Sequence, residues 1–198
     1  PLLDPSGPIV SPVSLSVEEL RLMQDRVGRG ETRPLSWRLN QLQRFQALLE
    51  NHEQEVLQAL SEDLGKPPTE AFFELLALRQ ELKLVRSNLR RWMQSRPVPV
   101  PLPQQPGRAE LVPEPLGCVL IIGPWNYPFS LTLQPLVSAL AAGNTAVLKP
   151  SEQAPAVAAL IERLVSEHFS AEVVRVEQGD GGVAATLVAL PFDHIFFT

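Results

Sequence analysis

Short apolar runs and longer segments with one apolar face alternate through residues 116–198, and this order is the strongest constraint on the fold. Residues 118–122, CVLII, lie between Gly117 and Gly123 and read as a buried parallel strand. A helix is expected over 130–142, closed by Gly143, then a strand over 146–148. A helix over 154–168, a strand over 173–176, a helix over 183–190 and a strand over 194–197 complete the pattern. Strand and helix in strict alternation give a parallel sheet with right-handed crossovers. Ligands of such sheets sit at the carboxyl ends of the strands. The residues to watch are therefore 123–128, 149–152, 178–182 and Thr198.

The first half reads as helical. Ser16 and Glu19 match a capping box, and Leu20, Met23 and Val27 follow at helical spacing until Gly28 or Gly30. One helical stretch is expected from about Ser36 to Leu64, with Gly65 as its stop. Another is expected over 69–95, with Phe72, Leu75, Leu82, Val85, Leu89 and Trp92 on its apolar side and the Glu and Arg residues of 74–91 on a solvated face. Trp37 and Trp92 are expected in the core.

Prolines divide the chain. Of 20, four fall within 1–12 and seven within 97–115. The first group reads as a loose tail. The second cannot be helix or central strand, so it reads as an extended arm with a short edge strand at 108–112.

Composition removes several function classes. The net charge is −5 and no basic stripe occurs, so no nucleic-acid partner is expected. No apolar run approaches the ~20 residues of a membrane span. A single cysteine, Cys118, and three scattered histidines argue against a metal cage, and none is expected. The absence of a basic-then-apolar signal segment points to a cytoplasmic location. The chain starts without Met and stops on Thr198, and reads as a piece of something longer.

Three loops could carry chemistry. Gly123-Pro124-Trp125-Asn126-Tyr127-Pro128 puts a carboxamide on a proline-stiffened loop at a strand end, a good donor to a developing oxyanion. The plainer alternative is a turn with a packed Trp. Lys149-Pro150-Ser151-Glu152 follows the next strand and suits a ribose, the ammonium donating and the carboxylate accepting from two hydroxyls. The alternative there is a helix start capped by Ser151. Gln178-Gly179-Asp180-Gly181-Gly182 is weaker, equally a tight turn before a helix. Cys118 lies inside a strand without an activator and is not expected to be a nucleophile.

These residues resemble a family. EPLGCVLIIGPWNYPFSLTLQPLVSALAAGNTAVLKPSE closely resembles the aldehyde dehydrogenase superfamily. GRGETRPLSWRLNQLQRFQALLENHEQEVLQALSEDLGKP is similar to its shorter class 3, fatty-aldehyde-dehydrogenase-like branch, and FDHIFFT resembles the strand that carries that branch's FTGS motif. The resemblance implies an α/β fold with a Rossmann-like parallel sheet, N-terminal helices before it and a proline-rich oligomerisation arm. It divides the chain into a tail (1–15), N-terminal helices of the coenzyme domain (16–96), the arm (97–115) and a partial dinucleotide-binding domain (116–198).

The resemblance also implies roles. Asn126 matches the oxyanion-hole asparagine and Tyr127 a residue lining the aldehyde pocket. Ile122, Gly123, Pro124 and Trp125 match the wall along the dinucleotide. Lys149 and Glu152 match the pair holding the adenosine ribose, with Ser151 beside them. Gly179 matches a glycine near the adenine, and Thr198 a residue near the nicotinamide. The cofactor implied is NAD, with some use of NADP; the partners implied are an aldehyde and a second copy of the chain. The family's nucleophilic cysteine and general-base glutamate lie downstream of FTGS, beyond these residues. The expectation is therefore the N-terminal part of an enzyme oxidising an aldehyde to an acid through a cysteine thiohemiacetal. A truncated relative that only binds nucleotide or partner subunits stands as the alternative, and an acyl-CoA or acyl-phosphate reductase as a weaker one.

Overall fold

The computed structural model describes residues 13–198. Most of the tail expected over 1–15 lies outside them. The remainder is not loose: Leu15 is buried, and Ser14 donates from its backbone N–H and its hydroxyl to the Glu177 carboxylate at 2.9 and 2.8 Å. Helix α1 (Val17–Gly28) starts with the expected capping box, Ser16 Oγ accepting from the Glu19 N–H and Glu19 accepting from the Ser16 N–H.

The stretch expected as one helix over 36–64 is two, α2 (Leu35–Asn51) and α3 (Glu53–Leu64). They meet at His52, whose φ of −126° and ψ of 19° leave the helical region, and whose Nδ1 is hydrogen-bonded to Glu55 across the corner. Neither proline nor glycine marks the break. The corner lets α2 lie on α5 (Pro128–Ala142) while α3 turns onto α6 (Pro155–His168). Gly65 ends α3 in the left-handed conformation, as the pattern implied.

Helix α4 (Pro68–Trp92) buries Ala71, Leu75, Leu78, Leu82, Val85 and Leu89, a stripe at helical spacing. Three assignments on it change. Phe72 and Trp92 are exposed rather than core, because they flank that stripe. Glu74, expected on the solvated face, is 2% exposed. Trp37 packs at the core's edge and is partly buried. Beyond α4, β1 (Arg96–Val98) and β2 (Ala109–Leu111) pair antiparallel, with a 3₁₀ turn at Leu102–Gln104 between them. The edge strand expected within 108–112 is this second strand, and both strands are exposed.

The parallel sheet forms as the alternation requires. Its strands are β3 (Cys118–Ile122), β4 (Thr145–Lys149), β5 (Val174–Val176) and β6 (His194–Phe197), in the order β5-β4-β3-β6. Helices α5 (Pro128–Ala142), α6 (Pro155–His168) and α7 (Gly181–Val188) make the crossovers. Side chains alternate between faces. Val119, Ile121, Ala146 and Leu148 join the large core with α2–α6, while Cys118, Leu120 and Val147 join a smaller one with α1 and α7. After β3 the chain moves toward β5; after β5 it returns, under α7, to β6 on the far side of β3. The carboxyl ends of β3 and β6 thus flank the topological switch point.

At the edge, β6 exposes Ile195, Phe196 and Phe197, the last at 75%. An apolar edge strand with unpaired backbone groups templates association. Residues 1–198 expressed alone should be poorly soluble and polydisperse. Light scattering and a thermal melt check this; a monodisperse sample with one sharp transition would count against it.

Candidate functional site

The loops after β3, β4 and β5 and the end of β6 lie along one edge of the sheet, because parallel strands send all their carboxyl ends the same way. Gly123 continues β3 by donating its N–H to the Lys149 carbonyl at 3.0 Å, which ties the first loop to the second. Only glycine fits there: a Cβ would lie 1.9 Å from Thr132 Oγ1, on the second turn of α5. Ile122 is partly buried, Pro124 likewise, and Trp125, Asn126 and Tyr127 are exposed. Trp125, at 52% exposure, is not packed in the core. Asn126 Oδ1 accepts from the Tyr127 N–H at 3.1 Å. That bond occupies the carboxamide oxygen and leaves its NH₂ free to donate.

The second loop holds a charged pair. Lys149 is 2% exposed at the end of β4, and its ammonium donates to Glu152 at 2.5 Å. The Lys149 hydrogen bond, more than any other influence, holds the Glu152 carboxyl below its ordinary value, so Glu152 is ionised near neutrality. Ser151 is buried, and its hydroxyl accepts from the Gln153 N–H, a turn four residues ahead of α6. It does not cap that helix. Asp63, at the end of α3, does so, its two carboxylate oxygens accepting from the N–H groups of Ala156 and Val157 at 3.0 and 2.8 Å.

In the third loop Gly179 has φ +142°, and a Cβ there would meet Val183 at 2.4 Å. Asp180 caps α7 by accepting from the N–H groups of Gly182 and Val183. Thr198 follows β6 and lines a cavity of about 450 Å³ against α5, with Val119, Ile121, Pro135 and Phe196. Cys118 is fully buried, and burial pushes its thiol up to about 12, which leaves it inert. His52 and His168, far apart in sequence, meet edge to face with centroids 5.4 Å apart beside Glu167. Protein groups already serve these side chains: His52 is bonded to Glu55 and Glu167 to Arg163.

Residues 24–198 match the model of the aldehyde dehydrogenase family. The chain belongs to the aldehyde dehydrogenase family. It is 42% identical to aldehyde dehydrogenase family 3 member H1 of Arabidopsis thaliana over 92% of its length, which is 37% of that relative. It is 41% identical to 4,4'-diaponeurosporen-aldehyde dehydrogenase of Staphylococcus aureus (strain NCTC 8325 / PS 47) over 85% of its length, again 37% of the relative. Among solved structures it resembles Staphylococcus aureus AldH in its substrate-bound state, with TM-score 0.87, 38% identity, and 91% of this chain and 40% of that one covered. GapN of Methanocaldococcus jannaschii DSM 2661, solved with NADP, shares the fold at TM-score 0.75 and 23% identity, over 95% of this chain and 42% of that one. The chain thus spans little more than a third of the curated relatives it matches.

One part of this candidate site has no counterpart among the residues that the sequence pattern marks. Lys66 and Glu74 are buried directly against the Asn126 loop. The available signal was the rarity of lysine: Lys66 is one of three, set between Gly65 and Pro67. Among the described residues, no helix is long and apolar enough to cross a membrane.

Proposed function

We propose that this chain is the coenzyme-binding part of an NAD(P)-dependent aldehyde dehydrogenase that converts an aldehyde to a carboxylic acid. The observation that carries the reading is the Asn126 carboxamide: its oxygen is pinned by the Tyr127 N–H, its NH₂ is free, and it stands at the switch point of a parallel sheet. Relatives whose names state an aldehyde dehydrogenase support the substrate class.

The residues present fit a dinucleotide. Gly123 lets α5 close onto the strand end, since a Cβ there would meet Thr132. A buried lysine and an ionised glutamate face one another where ribose hydroxyls could accept from one and donate to the other. In this reading Ile122, Gly123, Pro124 and Trp125 line the dinucleotide, Lys149, Ser151 and Glu152 hold its adenosine ribose, Gly179 lies near the adenine and Thr198 near the nicotinamide. A dinucleotide held by these residues would supply the hydride acceptor for the oxidation. Asn126 donates to the substrate oxygen as negative charge grows on it, and Tyr127 lines the aldehyde pocket. The cofactor assigned is NAD with secondary use of NADP; GapN, which shares the fold, binds NADP. The β1–β2 arm is assigned to pairing with a second copy, and the location to the cytoplasm.

Intact mass and turnover test this together. The reading expects a polypeptide more than twice the 21.9 kDa of these residues that reduces NAD when given an aldehyde. A 21.9 kDa protein that binds nucleotide without turnover is instead a truncated binding relative.

A further inference from the structure

Lys66 lies on the short loop between α3 and α4, and Glu74 on the second turn of α4. They are 7% and 2% exposed. Lys66 Nζ donates to Glu74 Oε1 at 2.7 Å and to the backbone carbonyl of Asn126 at 2.9 Å. Its remaining face rests 3.9 Å from the centroid of the Tyr127 ring. An ammonium has three N–H donors, and carboxylate, carbonyl and aromatic face account for them. Glu74 Oε2 accepts from the Ser130 N–H at 2.9 Å, one of the free donors in the first turn of α5. The pair therefore grips the 126–130 segment at the Asn126 carbonyl, the Tyr127 ring and the start of α5.

Stability alone does not call for such a pair. Desolvating two charges offsets most of their attraction, and well-packed apolar residues of the same size hold a core equally well. What a charged pair adds is direction, since each donor and acceptor has a fixed target. The Asn126 carbonyl that Lys66 holds and the Tyr127 N–H that holds the Asn126 carboxamide oxygen lie in one peptide plane, so fixing that plane orients the NH₂. The Glu74 carboxylate completes this by holding the helix that the loop enters.

We propose that Lys66 and Glu74 are positioning residues for the reaction, a buried ion pair that aims the Asn126 carboxamide at the substrate oxygen. The proposal rests on the aldehyde dehydrogenase reading. It adds two residues that touch neither substrate nor cofactor and act through Asn126.

The test uses the full-length polypeptide in a double-mutant cycle. Lys66→Met should lower kcat at least tenfold while KM for NAD stays within twofold. In an Asn126→Ala background the same change should lower kcat less than threefold, because its target is already gone. Equal losses in both backgrounds would show a general disruption and overturn the proposal. The double variant Lys66→Met/Glu74→Leu guards against misfolding, since it leaves no unpaired buried charge. It should melt near the wild-type temperature and still lose kcat; a folded double variant with full kcat would overturn the proposal.

A second readout needs no turnover. With every other tryptophan of the full-length polypeptide changed to Phe, Trp37 and Trp92 among them, Trp125 is the sole indole and adjoins Asn126. Lys66→Met should lower its fluorescence anisotropy and raise its quenching by acrylamide. If the wild type oxidises no aldehyde, the functional reading fails by itself. The grip on the loop is then read from Trp125 alone, and an unchanged signal in a folded variant overturns it.

Discussion

Asn126→Ala in the full-length enzyme is expected to lower turnover by roughly 10²–10³ with cofactor affinity nearly unchanged. The size follows from the chemistry. As a nucleophile adds to an aldehyde, the carbonyl oxygen gains a full charge, and a preorganised amide donor stabilises that charge more than the neutral substrate. Such a donor must be fixed beforehand. Asn126 meets that condition through its own side-chain oxygen, bonded to the Tyr127 N–H, and through its backbone carbonyl, bonded to Lys66. The substitution leaves the Lys149–Glu152 pair and Gly123 in place, so binding of the dinucleotide should not change. Single-turnover kinetics under conditions where chemistry limits the rate check this. Normal turnover in the variant would mean that Asn126 has no catalytic part.

Glu152→Gln is expected to shift cofactor choice toward NADP by about tenfold, or about 1.4 kcal/mol, in the ratio of affinities. Glu152 is ionised at neutral pH like an ordinary carboxylate, and the Lys149 hydrogen bond favours that form further. A 2′-phosphate at the ribose would bring like charges together. At an effective dielectric near 20, two unit charges about 4 Å apart repel by about 4 kcal/mol. The Glu152 side chain is 42% exposed, so solvent screens part of this, and rotation of the side chain relieves more. Lys149 offsets a further share, since an ammonium favours the phosphate. The wild type should therefore prefer NAD and still use NADP. Gln keeps the size and removes the charge, so NADP should gain more than NAD. Titration of each cofactor against both proteins measures the ratio. An unchanged ratio would leave Glu152 as a turn residue with no part in cofactor choice.

Local pattern alone placed most of what these experiments touch. Alternating apolar runs marked four parallel strands and their crossovers, because burial on both faces demands continuous apolar residues and the next strand demands a helix between. The Ser16–Glu19 box and the glycine stops at Gly65 and Gly143 are contacts between near neighbours in the chain, so their residues lie side by side in the sequence. The candidate loops followed from strand ends alone.

Tertiary structure decided the remainder. The corner at His52 carries no Gly or Pro; it turns α2 toward α5 and α3 toward α6 while both stay against α4. Phe72 and Trp92 share the periodicity of their helix, yet they flank the stripe that the neighbouring helices cover. The N-terminus of α6 is capped from 93 residues away by Asp63 rather than by Ser151 beside it. Glu74 reads as one acid among many on a charged helix until Ser130, 56 residues on, supplies an N–H to it, and the partner of Lys66 is the Asn126 carbonyl, 60 residues on. A charge is buried only when partners satisfy it, and those partners come from elements that meet in space while remaining distant along the chain. The alternation of strands and helices along the chain set which loops stand at the sheet's carboxyl edge; the packing of α4 against α5 set what holds the Asn126 loop in place.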